Sequence, residues 1–273
     1  MAVLLMAESD GGQLITKRGI LMAQINQFQE ITKEVARDYA VFAMMASNSY
    51  HKPDRVCFPV ELLGWHQVDL AGNPTDAPTQ SHTFSGLAYD FYEKIGTNRM
   101  VIAFRGTDDL IRDYLWANLA LPPWNLQYRQ ARNEVGAYMA THTNKNITVV
   151  GHSLGGGLAL CVSVHHGLQA ITFNPSPRVF DGIGDFHEPA ERVIFFEDDE
   201  ILEIVRKFWR KDNEIVSEKD VYQCKYKIGH KPVEAHRSDF LVFGMLQQAA
   251  SIDQQLNQVL IESEKRLNAL AKK

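Results

Sequence analysis

The sequence predicts an α/β fold in which a mostly parallel central sheet carries helices on both faces. Three observations predict it. Short apolar runs at 100–104, 147–150, 168–173 and 192–196 have the length and the β-branched or aromatic content of buried strands. Apolar residues at helical spacing, or runs of small apolar residues, fill the stretches 24–49, 127–143 and 156–164. The runs at 100–104, 147–150 and 192–196 each reach Gly, Ser, Thr or acidic residues within two positions, and in open α/β sheets catalytic groups gather at such carboxyl ends.

The bulk numbers agree with one large domain. A chain of 273 residues with 45% hydrophobic and 22% charged residues is ordinary for a globular protein. Its net charge of -5 argues against a general nucleic-acid binder. Cys57, Cys161 and Cys224 are too few and too scattered for a disulfide framework or a zinc site, and Cys161 reads as a small buried side chain. No metal or cofactor is expected, since neither metal-ligand spacing nor a nucleotide motif is present. His165 and His166 are adjacent, and helix neighbours at i,i+1 do not face one site. No apolar run is long enough to span a membrane. Residues 1–7 are apolar, but no basic residues precede them and Glu8, Ser9 and Asp10 end them, so they make a poor signal peptide. Cytoplasmic placement is the default expectation, with signal-less secretion as the other route. Residues 1–22 read as an N-terminal extension without periodic pattern, expected to be disordered, with Met22 as an alternative start. The main domain is expected over 23–245 and a C-terminal helix over 246–273.

Taken in order, residues 24–49 repeat Ile31, Val35, Tyr39, Phe42 and Met45 at helical spacing. Ala36, Ala40, Ala43 and Ala46 allow this helix to approach a sheet closely. His51-Lys52-Pro53 ends it. The stretch 56–82 is loop-rich, with a strand fragment at 65–68 and a turn at 72–79. Aromatic residues at near-alternate positions predict a strand over 84–95. After the 100–104 strand, residues 110–124 are rich in large apolar side chains, and Leu110, Tyr114, Leu115 and Leu119 share a helical face. That segment is either a lid or acyl-chain surface, or a core helix. An amphipathic helix follows over 127–143. Residues 221–228 alternate weakly, as a strand does. In the tail, Ile252, Leu256, Val259, Ser263 and Leu270 lie near heptad spacing. Such a helix docks on its own domain or pairs two chains as a short coiled coil.

The most informative stretch is Ile147 to Leu160. Its β-branched strand turns through Gly151-His152-Ser153-Leu154-Gly155 into a helix of small apolar residues. A strand, a Gly-x-Ser-x-Gly turn and a helix form a nucleophile elbow. The serine at its tip requires strained backbone, and side chains at Gly151 or Gly155 are expected to collide with the adjoining strand and helix. Ser153 then stands above the sheet edge at a helix N-terminus, which stabilises negative charge.

An activated serine needs a base and a carboxylate that orients the base. In the α/β-hydrolases these follow in the order Ser, Asp or Glu, His. The acids at a strand end downstream of Ser153 are Asp198 and Asp199, and the histidines after them are His230 and His236. The residues alone leave both pairs open. Oxyanion donors belong to the N–H after the nucleophile, that of Leu154, and to a loop after an early strand, where Gly106-Thr107 lies.

The motifs Phe104-Arg105-Gly106-Thr107 and Gly151-His152-Ser153-Leu154-Gly155, with the late Asp and His, resemble the class 3 lipases, the fungal-type triacylglycerol lipase branch of the α/β-hydrolases. The likeness runs from about Tyr39 to Gly244. It implies Asp199, two residues before Ile201, as the acid. Leu202 stands where many members have proline. It implies His236, followed by Arg237-Ser238-Asp239-Phe240, as the base. By the same resemblance Thr107 is the oxyanion residue and 110–121 the lid, with Tyr114 where tryptophan is frequent. The implied activity is hydrolysis of lipid carboxylic esters, of triacylglycerol lipase or phospholipase A type, at a membrane or micelle surface. Two other readings are a non-catalytic relative that binds a lipid or partner, and a secreted bacterial phospholipase effector. The C-terminal helix offers a route to an oligomer.

Overall fold

In the computed structural model, residues 29–107, 126–176, 189–198, 220–226 and 236–272 are described. They contain a nine-stranded sheet. The strands are β1 (Gln29–Glu30), β2 (Trp65–Val68), β3 (Gln80–Ser81), β4 (Ala88–Lys94), β5 (Arg99–Phe104), β6 (Asn146–His152), β7 (Gln169–Phe173), β8 (Arg192–Glu197) and β9 (Val221–Cys224). Their order is β1-β9-β8-β7-β6-β5-β4-β2, with β3 paired to β4. From β1 to β5 every neighbouring pair is parallel, and the pairs made by β2, β3 and β4 are antiparallel. The expected mostly parallel sheet is therefore present, with an antiparallel flank.

Helices cover both faces. On one lie α1 (Lys33–Asn48) and α4 (Ser238–Ala250), with α5 (Gln254–Leu270) packed beside α4; their core includes Ala36, Met44, Val150, Phe195, Leu241, Met245 and Val259. On the other lie α2 (Leu126–Thr141) and α3 (Leu154–His166), whose core includes Ile102, Val149, Tyr128, Ala131, Leu158 and Leu160. Alternation along β6 sends Val149 to one core and Val150 to the other, as a sheet buried on both faces requires.

The expected elements mostly stand, with shifted ends. The Thr32 hydroxyl accepts from the Val35 N–H at 3.3 Å and starts α1 there, while Gln29 and Glu30 upstream are a strand beside β9. Two polar residues on a sheet edge leave no apolar alternation to read. The alanines of α1 are buried, as their spacing predicts. The strand expected from Phe84 begins at Ala88, because 82–87 is a hairpin connection closed by Gly86 at φ +74°. The strand expected over 221–228 ends at Cys224.

The helical tail expected from 246 is divided otherwise. α4 runs through that position to Ala250, and Asp253 caps a new helix by accepting from the Leu256 N–H at 2.9 Å. Leu256, Val259 and Ser263, at the heptad positions, are buried against the chain's own domain. Gln255 Nε2 donates to the Leu62 carbonyl, and Arg266 donates to the Cys57 carbonyl and the Glu61 carboxylate. Residues 1–22 and the segment 110–124 lie outside the described residues.

Beside α1, the His51 ring bonds the buried Asp90 carboxylate at 2.8 Å. Burial is the largest influence on Asp90 and pushes its carboxyl above the ordinary value, against the pull of His51 and the Thr79 N–H. A carboxyl whose folded pKa is raised contributes stability below its unfolded pKa and loses it as pH rises through the folded one. Asp90→Asn removes that loss. Its melting temperature relative to the parent protein is therefore expected to rise as pH increases above the ordinary carboxyl range, about pH 4, measured by calorimetry across a pH series. A difference constant with pH refutes the assignment.

Candidate active site

β6 ends at His152 and α3 begins at Leu154, so Ser153 alone makes the turn. Its backbone is at φ 57° and ψ -125°, a region that costs a non-glycine residue on the order of 1–3 kcal/mol. Three bonds hold it there: the Ser153 N–H donates to the Phe173 carbonyl at 3.1 Å, and its own carbonyl accepts from Gly157 at 3.1 Å and Ser176 at 2.8 Å. The glycines have the reasons the sequence implied. A Cβ on Gly151 would run into the Gly155 backbone, and one on Gly155 into the Phe104 carbonyl of β5. Gly156 also passes Pro175 closely, its Cβ position lying 2.9 Å from the Pro175 Cα. Ser153 is buried at the N-terminus of α3, where unbonded N–H groups and the helix dipole favour an anion.

The register carries neighbouring groups to the same end of the sheet. Phe104 pairs with Gly151, so the Gly106-Thr107 turn leaves β5 beside the elbow. Gly106 is buried there, its Cβ position 2.6 Å from the His152 carbonyl and in collision with the Tyr50 hydroxyl. Thr107 and Leu154, the expected oxyanion donors, are partly exposed.

His236 is fully buried just before α4, and its ring lies against His152, centroids 4.7 Å apart. The structure thus brings the late histidine onto the residue that precedes Ser153. His152 in turn shares a hydrogen bond of 2.8 Å between its Nδ1 and the Tyr50 hydroxyl. Tyr50 and His152 were not among the expected site residues, and no sequence signal joins them. Tyr50→Phe deletes a buried hydrogen bond, and the expected cost is about 1–2 kcal/mol of stability. Turnover is expected to fall with a displaced acid limb in its pH profile, because the ring packed on His236 loses its anchor. Denaturant melts and a kcat/KM pH series check both, and an unchanged pH profile overturns the link to the site.

Of the two acids, Asp198 sits on the turn after β8. Its N–H donates to the Cys224 carbonyl at 2.8 Å, and its carboxylate accepts from Gln223 Nε2 at 2.7 Å. Tyr222 and Cys224 face the α1–α4 core, so alternation puts Gln223 on the other face. His152 shares Val150's face, that of α1 and α4, and His236 packs on it. Asp199, His230 and the lid segment lie outside the described residues. A further buried acid, Glu197, accepts from the Tyr226 N–H at 2.8 Å, while its own N–H donates to Asn174 Oδ1 at 2.7 Å. Burial, then Glu197, holds the neighbouring Cys224 thiol well above its usual pKa. Among the described residues no cluster of His, Cys, Asp and Glu is arranged to hold a metal ion, and no helix is long and apolar enough to cross a membrane.

The family model for the Tle-like phospholipase domain, Phospholipase-like, matches residues 41–178, just over half of the chain. The chain belongs to this family. The matched span of the Tle-like phospholipase domain holds the second half of α1, the Phe104–Thr107 motif and the whole elbow, and it ends before the acids and His236. Family and sheet agree on an α/β-hydrolase fold, consistent with the class 3 lipase likeness. Solved structures similar to the chain include the Rhizomucor miehei lipase in its propeptide complex, at 15% identity and TM-score 0.47 over 66% of this chain and 67% of that one. The Rhizopus microsporus var. chinensis lipase is similar at 12% identity and TM-score 0.46, covering 68% and 75%. Lip2 lipase from Yarrowia lipolytica is similar at 13% and 0.42, covering 67% and 77%. No curated protein sequence matches the chain significantly.

Proposed function

We propose that this phospholipase-like protein hydrolyses carboxylic esters of lipids, of triacylglycerol lipase or phospholipase A type, through Ser153. The observation that carries the reading is Ser153 itself: a serine held at φ 57° between a central strand and a helix N-terminus, with a buried histidine packed one residue away. Strain of this kind persists where function needs the side chain presented.

The roles follow from the chemistry. His236 takes the Ser153 hydroxyl proton as Oγ attacks the ester carbonyl carbon. The N–H groups of Leu154 and Thr107 hold the developing oxyanion, and the α3 N-terminus adds favourable potential. Collapse expels the alcohol, which receives the proton from His236, and water then attacks the acyl-enzyme by the same route. Asp199 is assigned the part of orienting and stabilising the imidazolium. The engagement of Asp198 by Gln223, on the sheet face away from His236, supports Asp199 over its neighbour. His236 is preferred to His230 for its contact with His152.

The test is labelling by a fluorescent fluorophosphonate together with fatty-acid release from phospholipid and triacylglycerol in detergent micelles. A folded protein that neither labels nor releases acid in micelles overturns the proposal in favour of a binding role.

A further inference from the structure

Among the described residues, Phe84 is the large apolar side chain most given to water, at 95% exposure. It is not on a loose loop. β3 and β4 pair Gln80 with Tyr89 and Ser81 with Ala88. Beyond them the His82 N–H donates to the Leu87 carbonyl and the Gly86 N–H to the His82 carbonyl, both at 2.8 Å. Leu87 is buried in the core, and His82 is held to Glu134 of α2 at 3.0 Å. The chain therefore holds an exposed aromatic ring at the apex of a fixed hairpin, with none of the described residues covering it. From Thr79 to Leu87 there is no Asp, Glu, Lys or Arg.

The hairpin points in the direction of the elbow. Tyr89 pairs with Phe104, and Phe104 with Gly151, so the chain before β4 and the chain after β6 leave the same end of the sheet. Two strand spacings, about 10 Å, separate them. The first turn of α2 abuts the hairpin: a Cβ on Gly86 would lie 2.8 Å from Gln127 Nε2. That contact sets Leu126, 36% exposed, beside the tip, and Arg129 one helical turn on is also exposed. An aromatic tip, a leucine and a flanking arginine, with no acidic residue in the hairpin, match the layering of a phospholipid surface: acyl chains below, phosphates above.

We infer that the hairpin carrying Phe84, with Leu126 beside it, docks the protein on a phospholipid bilayer and so brings the Ser153 end of the sheet to its substrate. This rests on the ester-hydrolase reading for its purpose, but the docking is measured without catalysis. Vesicles of phosphatidylcholine and phosphatidylglycerol are sedimented with the full chain and with Phe84→Asp. Bound fraction is expected to fall about tenfold or more in the variant, the loss of one large apolar anchor. Hydrolysis of a water-soluble short-chain nitrophenyl ester is expected to be unchanged, and so is the melting temperature. Phe84→Trp is expected to keep vesicle binding and to add indole fluorescence that brominated lipid quenches. Parental binding by Phe84→Asp, or no binding by the parent chain, overturns the inference. Phe84-dependent binding without hydrolysis of any ester supports docking and removes the hydrolase reading instead.

Discussion

Ser153→Ala is expected to lower lipid-ester turnover by at least about three orders of magnitude and to abolish fluorophosphonate labelling. Removing Oγ deletes the only group assigned to form the acyl-enzyme, so the remaining rate comes from the oxyanion donors and substrate binding alone. Folding is expected to be intact, because alanine keeps the Cβ and hence the same backbone strain, and the three backbone bonds at this residue do not involve the side chain. Ser153→Gly separates strain from chemistry. Glycine adopts positive φ without the Cβ penalty, so this variant is expected to be inactive and more stable than the parent by about 1 kcal/mol. Steady-state kinetics, gel labelling and thermal melts read these effects. Near-parental turnover by folded Ser153→Ala would falsify the assignment of the nucleophile.

Gly155→Ala is expected to destabilise the protein by about 3 kcal/mol or more, although it adds one methyl group to a helix. Its Cβ has no room. It would collide with the Phe104 carbonyl and lie 2.8 Å from Phe104 C and 2.9 Å from Arg105 C, all backbone at the end of the central strand β5. Relief requires moving α3 away from β5, which also moves Ser153 from the Gly106-Thr107 turn, so activity is expected to fall with stability. Gly96→Ala is the control. Gly96 has φ +70° but nothing within 4 Å of its Cβ position, so only backbone strain of about 1 kcal/mol is expected there. Urea denaturation of both variants decides between them. Equal losses at the two sites would mean that the α3–β5 approach is not tight.

Much of this was legible in order along the chain. Ile147 to Val150 reads as a buried strand because β-branched runs pack there, and Gly151 and Gly155 around Ser153 announce a close turn because no other residue fits it. The Phe104–Thr107 motif could be placed at a strand end for the same local reason. These are short-range patterns, in which the residues that act together are neighbours in sequence.

What the chain order did not contain is which distant polar groups meet. Tyr50 reaches His152 across the α1 face, and His236 arrives from beyond the sheet to pack on the same ring. Position at a strand end leaves Asp198 and Asp199 open; it is the alternation of β9 that gives Gln223, and with it Asp198, to one face of the sheet. The heptad-like tail fits docking at home, the commoner outcome, or pairing of two chains, and the core beside α4 and the 60–63 turn took Leu256 and Val259. The sequence by itself determined the sheet, the elbow and the kind of chemistry, since periodicity and backbone sterics act over a few residues. Only the tertiary structure decided the partners of His152 and Asp198 and the seat of the last helix, because those contacts join residues whose separation leaves no repeat to read.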